Sequence, residues 1–534
     1  MILATVLAGI AGAARLQETD LGEIVTDAPI VMPEVDWQLI GPINVLIVGA
    51  LLLLLVASLA RHTRWISGVY VWFTASVATI AGLVAIRQWD NARDPLESVS
   101  AIANALKIDG FSVFFTILIC AAAILATFLV DDYLRREDLH GPETFVLMLL
   151  SASGGVIMAS ANDLIVLFLG LEILSIALYV LAGSHLRRAE SQESALKYFV
   201  LGGFSSAVFL YGVALIYGAT GSTNLSDISQ YLGENVIIGN GLLVAGIALF
   251  LVGVGFKIAA VPFHMWTPDV YQGAPSPITG FMAAVAKAAG FAALLRVLLI
   301  GMASNTLDWR PVVWVLSIAS MVVGAVLAAV QDDVKRIMAY SSISHAGFIL
   351  IGVHSATADG TSGALFYLFA YTFIVLGSFA VITVVGRKGD AAHALSDYRG
   401  LSRRSPVLAM FFALFLLAQA GIPATSGFMA KFGVIRAATD IKSYAIAIIA
   451  MFVSVIGAFA YLRIIVTMFM SGDDHESDHE SSRGSNSNDG LLTAGAVHVP
   501  RLTWVVLSIA AGVTLFCGIA PQALVNFASD ALLR

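Results

Sequence analysis

Six ionisable side chains stand in apolar runs, where a charge is expensive. Glu172 sits at the centre of LIVLFLGLEILSIALYVLAG, with no other charge within eight residues on either side. Lys287 is equally deep in FMAAVAKAAGFAALL, and His345 occupies the middle of a further run, in AYSSISHAGF. Lys257 and Lys431 accompany internal prolines: GVGFKIAAVPFHMW places Pro262 just after Lys257, and LAQAGIPATSGFMAKFG places Pro423 ahead of Lys431. Lys197 opens another run beside loop charges. At mid-membrane such a group costs about 2.5–3.5 kcal/mol on insertion scales, so each needs a reason. Plain structural reasons exist. Glu172 and Lys287 can form static ion pairs, Lys257 and Lys431 can snorkel to an interface, and His345 can be a hydrogen-bonded core residue. For Lys197 snorkelling is the default, and Asp163 and Asp269 read as loop or cap residues.

Proton transfer is the chemistry these types share. Burial lowers a lysine pKa by up to about 3–5 units, and a nearby carboxylate raises it again. A potential of roughly 150 mV costs about 3.5 kcal/mol per charge moved, which is about 2.5 pKa units. A buried lysine whose contact with Glu172 is made and broken can swing that far. Lysine, glutamate and histidine therefore suffice without metal or organic cofactor.

The elements that must position these groups are membrane helices. The 534 residues are 58% hydrophobic and 12% charged, with a mean hydropathy of +0.87, whereas soluble domains are about 25% charged. A bilayer core needs roughly 20 apolar residues per helix. About fourteen such runs follow one another, from Leu39–Ala60 to Leu502–Val525, giving an all-α membrane fold. Spans seven and twelve hold Pro262 and Pro423. Proline removes a helical hydrogen bond, and broken helices persist at membrane depth only where protein or a wet cavity satisfies them. Two breaks five spans apart point to two inverted five-helix repeats, spans four to eight and nine to thirteen. The expected division is an extension over 1–36, spans one to three over 37–143, repeats over 144–300 and 311–470, a polar loop over 471–501, and the last span over 502–534. Loops after odd-numbered spans hold the richer Lys/Arg sets, among them Arg387, Lys388, Arg399, Arg403 and Arg404. Those loops are predicted to be cytoplasmic, with both termini on the opposite face.

Other functions lack residues. There is no basic patch with interleaved aromatics for nucleic acid, and no Gly-rich dinucleotide fingerprint. Cys120 and Cys517 fall in apolar runs and cannot supply the four thiolates an iron–sulfur cluster usually takes. His475 and His479 stand four apart in DDHESDHESSRGSNSNDG, a segment that reads as a solvated, disordered linker rather than a metal site.

The segments FLGLEILSIALYVL, ESALKYFVLGGFSSA, GFKIAAVPFHMWTPDVYQGAPSPITGF and DVKRIMAYSSISHAGF resemble the antiporter-like subunits of respiratory complex I, the NADH–quinone oxidoreductase. The resemblance runs from span four through span thirteen. Within the family it is to the subunit N branch, equivalent to mitochondrial subunit 2. The chain ends after span fourteen, where subunit L carries a long lateral helix, and it has Lys431 where subunit M typically has a glutamate. The resemblance implies a proton-translocating subunit in a bacterial plasma membrane, with Glu172 and Lys257 as an interacting pair. Lys287 is then the central relay and Lys431 the exit-side carrier, with His345 and Lys197 secondary. It implies no cofactor in this chain, since NADH, FMN, iron–sulfur clusters and quinone are bound by partner subunits. Neighbouring antiporter-like subunits and lipid are the expected contacts. A subunit of a multisubunit sodium/proton antiporter or of a membrane-bound hydrogenase shares the architecture and is the alternative.

Overall fold

The computed structural model describes residues 35–59, 64–92, 99–139, 141–235, 240–470 and 499–531. The expected extension over 1–36 and the polar loop with His475 and His479 lie almost wholly outside them. Helices α1 (Gly41–Leu59), α2 (Arg64–Ala92), α3 (Gly110–Arg136), α4 (Glu143–Ser160), α5 (Leu164–Ala182) and α6 (Ala189–Thr220) come first. Then follow α7a (Gly241–Ile258), α7b (Trp266–Gly273), α8 (Ser276–Gly301), α9 (Thr306–Ala329), α10 (Val334–Ser355) and α11 (Ala358–Val385). Last are α12a (Pro406–Ala420), α12b (Ser426–Asp440), α13 (Tyr444–Phe469) and α14 (Arg501–Ile519). Thirteen helices among the described residues are long and apolar enough to cross a membrane. The pair α12a and α12b, 15 residues each, supplies the fourteenth crossing.

Burial sorts these helices into an inner and an outer set. The most apolar windows of α10 and α11 are 94% buried and that of α8 is 89% buried, against 33% for α6 and α13. The inner three carry Lys287 and His345, so these groups are enclosed by protein. Close helix approach depends on glycine at two crossings. A Cβ on Gly154 would lie 2.7 Å from the Gly170 carbonyl where α4 meets α5, and one on Gly212 would lie 2.9 Å from the Gly246 carbonyl where α6 meets α7a.

Both proline segments interrupt their helices. After α7a the backbone turns through Ala259 at φ +60°, and the freed carbonyls find donors. Gly255 O accepts from Ala260 N at 2.8 Å, and Phe256 O accepts from Trp266 Nε1 at 3.0 Å. After α12a, Gly421 takes φ +89°. Its N–H donates to Leu417 O at 3.0 Å. The sequence puts both breaks inside the bundle, and here the structure differs in part. The lysines point inward, but Pro262 and Pro423 are exposed on the outer surface of the chain. Proline has no N–H to leave unmet there.

Smaller features escape periodicity. Span fourteen stops at Ile519, and a separate helix Gln522–Asp530 follows Pro521. Strands Val99–Ala101 and Leu106–Ile108 pair antiparallel ahead of α3.

Candidate functional site

Lys257, Lys287 and Lys431 are 5%, 3% and 8% exposed. Among the described residues none of the three has a carboxylate oxygen within 4.0 Å; each ammonium is met by neutral oxygens and aromatic faces. Lys257 ends α7a and donates to Ser175 Oγ of α5 at 2.8 Å, and to Tyr198 OH of α6 at 3.4 Å. The Ser175 hydroxyl donates to Leu171 O in its own helix, so its oxygen is free to face the ammonium. A cavity of about 10 Å³ beside Lys257, lined by Ser175, Tyr179, Ser205 and Ser206 among others, has room for about one water. Glu172 lies one turn before Ser175, half-buried, with Oε1 enclosed and unbonded. Glu172 and Lys257, expected to meet directly or through one water, are not in direct contact: the ammonium is received by Ser175.

Lys287 follows a π-helical turn, Met282–Ala286, in α8. It donates to the Ser342 carbonyl of α10 and lies 5.1 Å from the ring centroid of Tyr371 of α11. Its charge is therefore met by other helices, as the lack of acids in its own run requires. The stem of Lys257 packs one turn further along the same helix, with Cγ 3.5 Å from a Cβ placed on Gly290. Tyr371 also faces the His345 ring at 5.1 Å. His345 Nδ1 meets Tyr367 OH at 2.7 Å, and Nε2 meets Tyr461 OH of α13 at 3.3 Å. Tyr367 stacks on Phe348, and Phe348 covers the Lys431 ammonium at 4.8 Å. Lys431 donates to Ala420 O at 2.9 Å, the carbonyl freed where α12a breaks. Four of the expected groups, Lys257, Lys287, His345 and Lys431, thus form one connected series through the inner helices. Lys197 stands apart from it. It is 43% exposed and ion-paired to Glu193 at 2.7 Å and Asp269 at 2.8 Å. Asp269 lies in the first turn of α7b and also binds Arg336 at 3.0 Å.

Residues 161–457 match the family described as NADH:quinone oxidoreductase/Mrp antiporter, TM. NADH-quinone oxidoreductase subunit N of Trichlorobacter lovleyi is 39% identical over 503 residues, which cover 94% of this chain and 96% of that one. The chain belongs to the subunit N family of NADH-quinone oxidoreductases. Subunit N of Mycobacterium tuberculosis is 44% identical over 407 residues, 75% of this chain and 73% of that protein. A chain of respiratory complex I from Thermus thermophilus, solved with bound aureothin, is 29% identical with a TM-score of 0.74, covering 91% of this chain and 99% of its own. A chain of the Mrp complex from Dietzia sp. fits with a higher TM-score, 0.80, at 20% identity over 92% of this chain and 96% of that one. That likeness is of fold alone. Shape does not separate the two branches; sequence places this chain with subunit N.

Other groups in this subunit N chain escaped sequence reasoning. Ser175, Ser342, Tyr371, Tyr367 and Tyr461 are neutral residues in apolar runs, and nothing in composition marks them. Arg296 is wholly buried at the far end of α8 and binds Asp109, the N-cap of α3, through two bonds of 3.0 and 2.8 Å. Among the described residues no group of three or more His, Cys, Asp or Glu could hold a metal ion.

Proposed function

We propose that this chain is the proton-translocating subunit N of an NADH–quinone oxidoreductase, and that Glu172, Lys257, Lys287, His345 and Lys431 carry the protons. Quinone reduction elsewhere in the assembly drives the transfer, with NADH, FMN, iron–sulfur clusters and quinone held by partner subunits. The observation that carries this reading is a contrast among buried cations. Arg296, a permanent charge, has a bidentate carboxylate partner at 2.8 Å. The three lysines are held by two hydroxyls, two carbonyls and ring faces. Neutral oxygens can accept from an ammonium and tolerate its loss, which suits a charge that comes and goes. Glu172 stands one turn before Ser175, which receives the Lys257 ammonium, so both charged groups border the same short stretch of α5. Spans four to eight and nine to thirteen form the two inverted repeats. The Lys/Arg-rich loops face the cytoplasm of a bacterial plasma membrane, with both termini opposite.

Lys287 provides the test, in the assembled complex in membrane vesicles. Lys287→Met keeps the helix packed, and should lower proton pumping and the coupled quinone reduction about tenfold or more. Lys287→Arg should not restore pumping, because arginine keeps its proton at any accessible pH. Normal pumping by the arginine variant sinks the relay role. Sodium/proton antiport is the second reading, because the family matched by residues 161–457 is described as taking in Mrp antiporters as well. Pumping that requires sodium in proteoliposomes would select it.

A further inference from the structure

Beyond Lys287 lies a run of hydrogen bonds whose direction can be followed from a group that only accepts. The Ile374 carbonyl on α11 accepts from Ser378 Oγ at 2.9 Å. A serine hydroxyl has one hydrogen, so the Ser378 oxygen is the acceptor for Gln419 Nε2, also at 2.9 Å. This sets the amide of Gln419 with its nitrogen toward Ser378 and its oxygen toward Ser341. Ser341 then donates to Gln419 Oε1 at 2.9 Å. With that hydrogen used, Ser341 accepts from the Tyr461 hydroxyl at 2.5 Å. Tyr461 has only its oxygen left for His345 Nε2, 3.3 Å away, so Nε2 carries the ring proton. In the neutral imidazole Nδ1 is the unprotonated atom, and it accepts from Tyr367 OH at 2.7 Å.

We propose that Gln419 is a positioning residue that holds neutral His345 in its Nε2–H form, leaving Nδ1 as the proton-accepting atom on the side of Tyr367, Phe348 and Lys431. The proposal rests on the reading of His345 as part of the proton route. Gln419 lies in the last turn of α12a, next to Ala420, whose carbonyl holds Lys431. The helix break and the histidine tautomer are thus joined through one residue. A displacement of that turn that frees Lys431 also withdraws the acceptor from Ser341. Tyr461 is then free to reverse its hydroxyl and donate to Nε2, which moves the ring proton to Nδ1.

The test is nitrogen-15 solid-state NMR of histidine-labelled, assembled complex. Signals of His345 are identified by their loss in His345→Asn, and protonated and bare ring nitrogens give well-separated resonances. The wild type should show neutral His345 with Nε2 protonated. Gln419→Glu keeps an acceptor toward Ser341 and should retain that form. Gln419→Leu should lose it, giving a mixture. Ser341→Ala is a smaller change for the case in which Gln419→Leu fails to assemble; it leaves Tyr461 free to donate to Nε2 and should give mainly Nδ1–H. An Nδ1–H wild type, or an unmixed Nε2–H form in Ser341→Ala, overturns the proposal. Proton pumping is read on the same samples. Undiminished pumping by His345→Asn removes the relay role of His345 and leaves the tautomer result standing by its own signal.

Discussion

Arg296 and Lys287 lie in the same buried helix and meet opposite treatment. The guanidinium of Arg296 has Asp109 at 2.8 and 3.0 Å, the Ala159 carbonyl at 2.9 Å and the Phe111 ring at 5.0 Å, so all its faces are occupied. Removing one partner of such a pair leaves an uncompensated buried charge and costs about 3–5 kcal/mol, whereas replacing both with apolar groups is often nearly neutral. Asp109→Leu alone should therefore abolish incorporation of the subunit into the complex on native gels, and Asp109→Leu with Arg296→Met should recover most of it. Equal loss in both would mean that the pair contributes through shape and not charge. Legibility in sequence follows the same physics. Lys257, Lys287, Lys431, Glu172 and His345 stand out because a charge alone in an apolar run is anomalous. Asp109 and Arg296 sit near span ends, where charges are ordinary, so their pairing across 187 residues leaves no local mark. Gln419 and Ser341 are invisible for another reason: small neutral polar groups are common in membrane helices, and only their mutual geometry gives them a role.

At the scale of the element, the break between α12a and α12b is set by backbone conformation more than by its proline. Gly421 holds φ +89°, and a Cβ there would meet Lys431 Cδ at 3.0 Å. A side chain in the left-handed region costs about 1–2 kcal/mol, and this one would also press on the ammonium arm. Gly421→Ala should thus lower proton pumping severalfold while the complex still assembles. Pro423→Ala should be close to wild type, because the exposed corner it occupies has no hydrogen bond that proline alone permits. Pumping assays on equal amounts of assembled complex separate the two, and a larger loss from Pro423→Ala would return the break to the proline. The sequence signals the break correctly through Pro423, although the residue that shapes it is Gly421. It gives no sign of the three-residue strands, which are too short for a period-two pattern. The apolar run past Ile519 continues through Pro521, which is why the last span reads too long.

Across the whole molecule, α8 is clamped at both ends and loosened in the middle. Asp109 holds Arg296 at one end. At the other, Asp390 of the loop after α11 accepts from Ser276 N at 3.1 Å and Ser276 Oγ at 2.7 Å. The same carboxylate meets Arg188 at 3.2 Å, His393 at 3.0 Å and the buried Lys335 at 3.5 Å. It thereby ties the starts of α6, α8 and α10 to one loop. Between the clamps, the π-helical turn Met282–Ala286 leads into Lys287. Such turns recur at functional sites because they shift helical register locally. Burial alone would raise the carboxyl of Asp390, but Lys335 and His393 hold it well below the usual carboxylate range. A depressed carboxylate stabilises above its unfolded pKa, about 4, and that contribution is lost only as pH falls through the lower folded value. The wild-type clamp should therefore persist through mild acid. Asp390→Asn removes the carboxylate shared by Lys335 and Arg188, leaving the buried Lys335 without its partner, and should cost about 3–5 kcal/mol. The expected outcome is a large fall in assembled complex at neutral pH. Asp390→Asn with Lys335→Met removes both wholly buried charges, while Arg188 retains Glu190 at 3.9 Å, so assembly should recover in part. Thermal dissociation of the purified complex, followed from neutral pH to about pH 5, checks both statements. A wild type that loses this subunit by pH 5, or a double variant no better than Asp390→Asn, would show that the end of α8 is held by something other than this carboxylate.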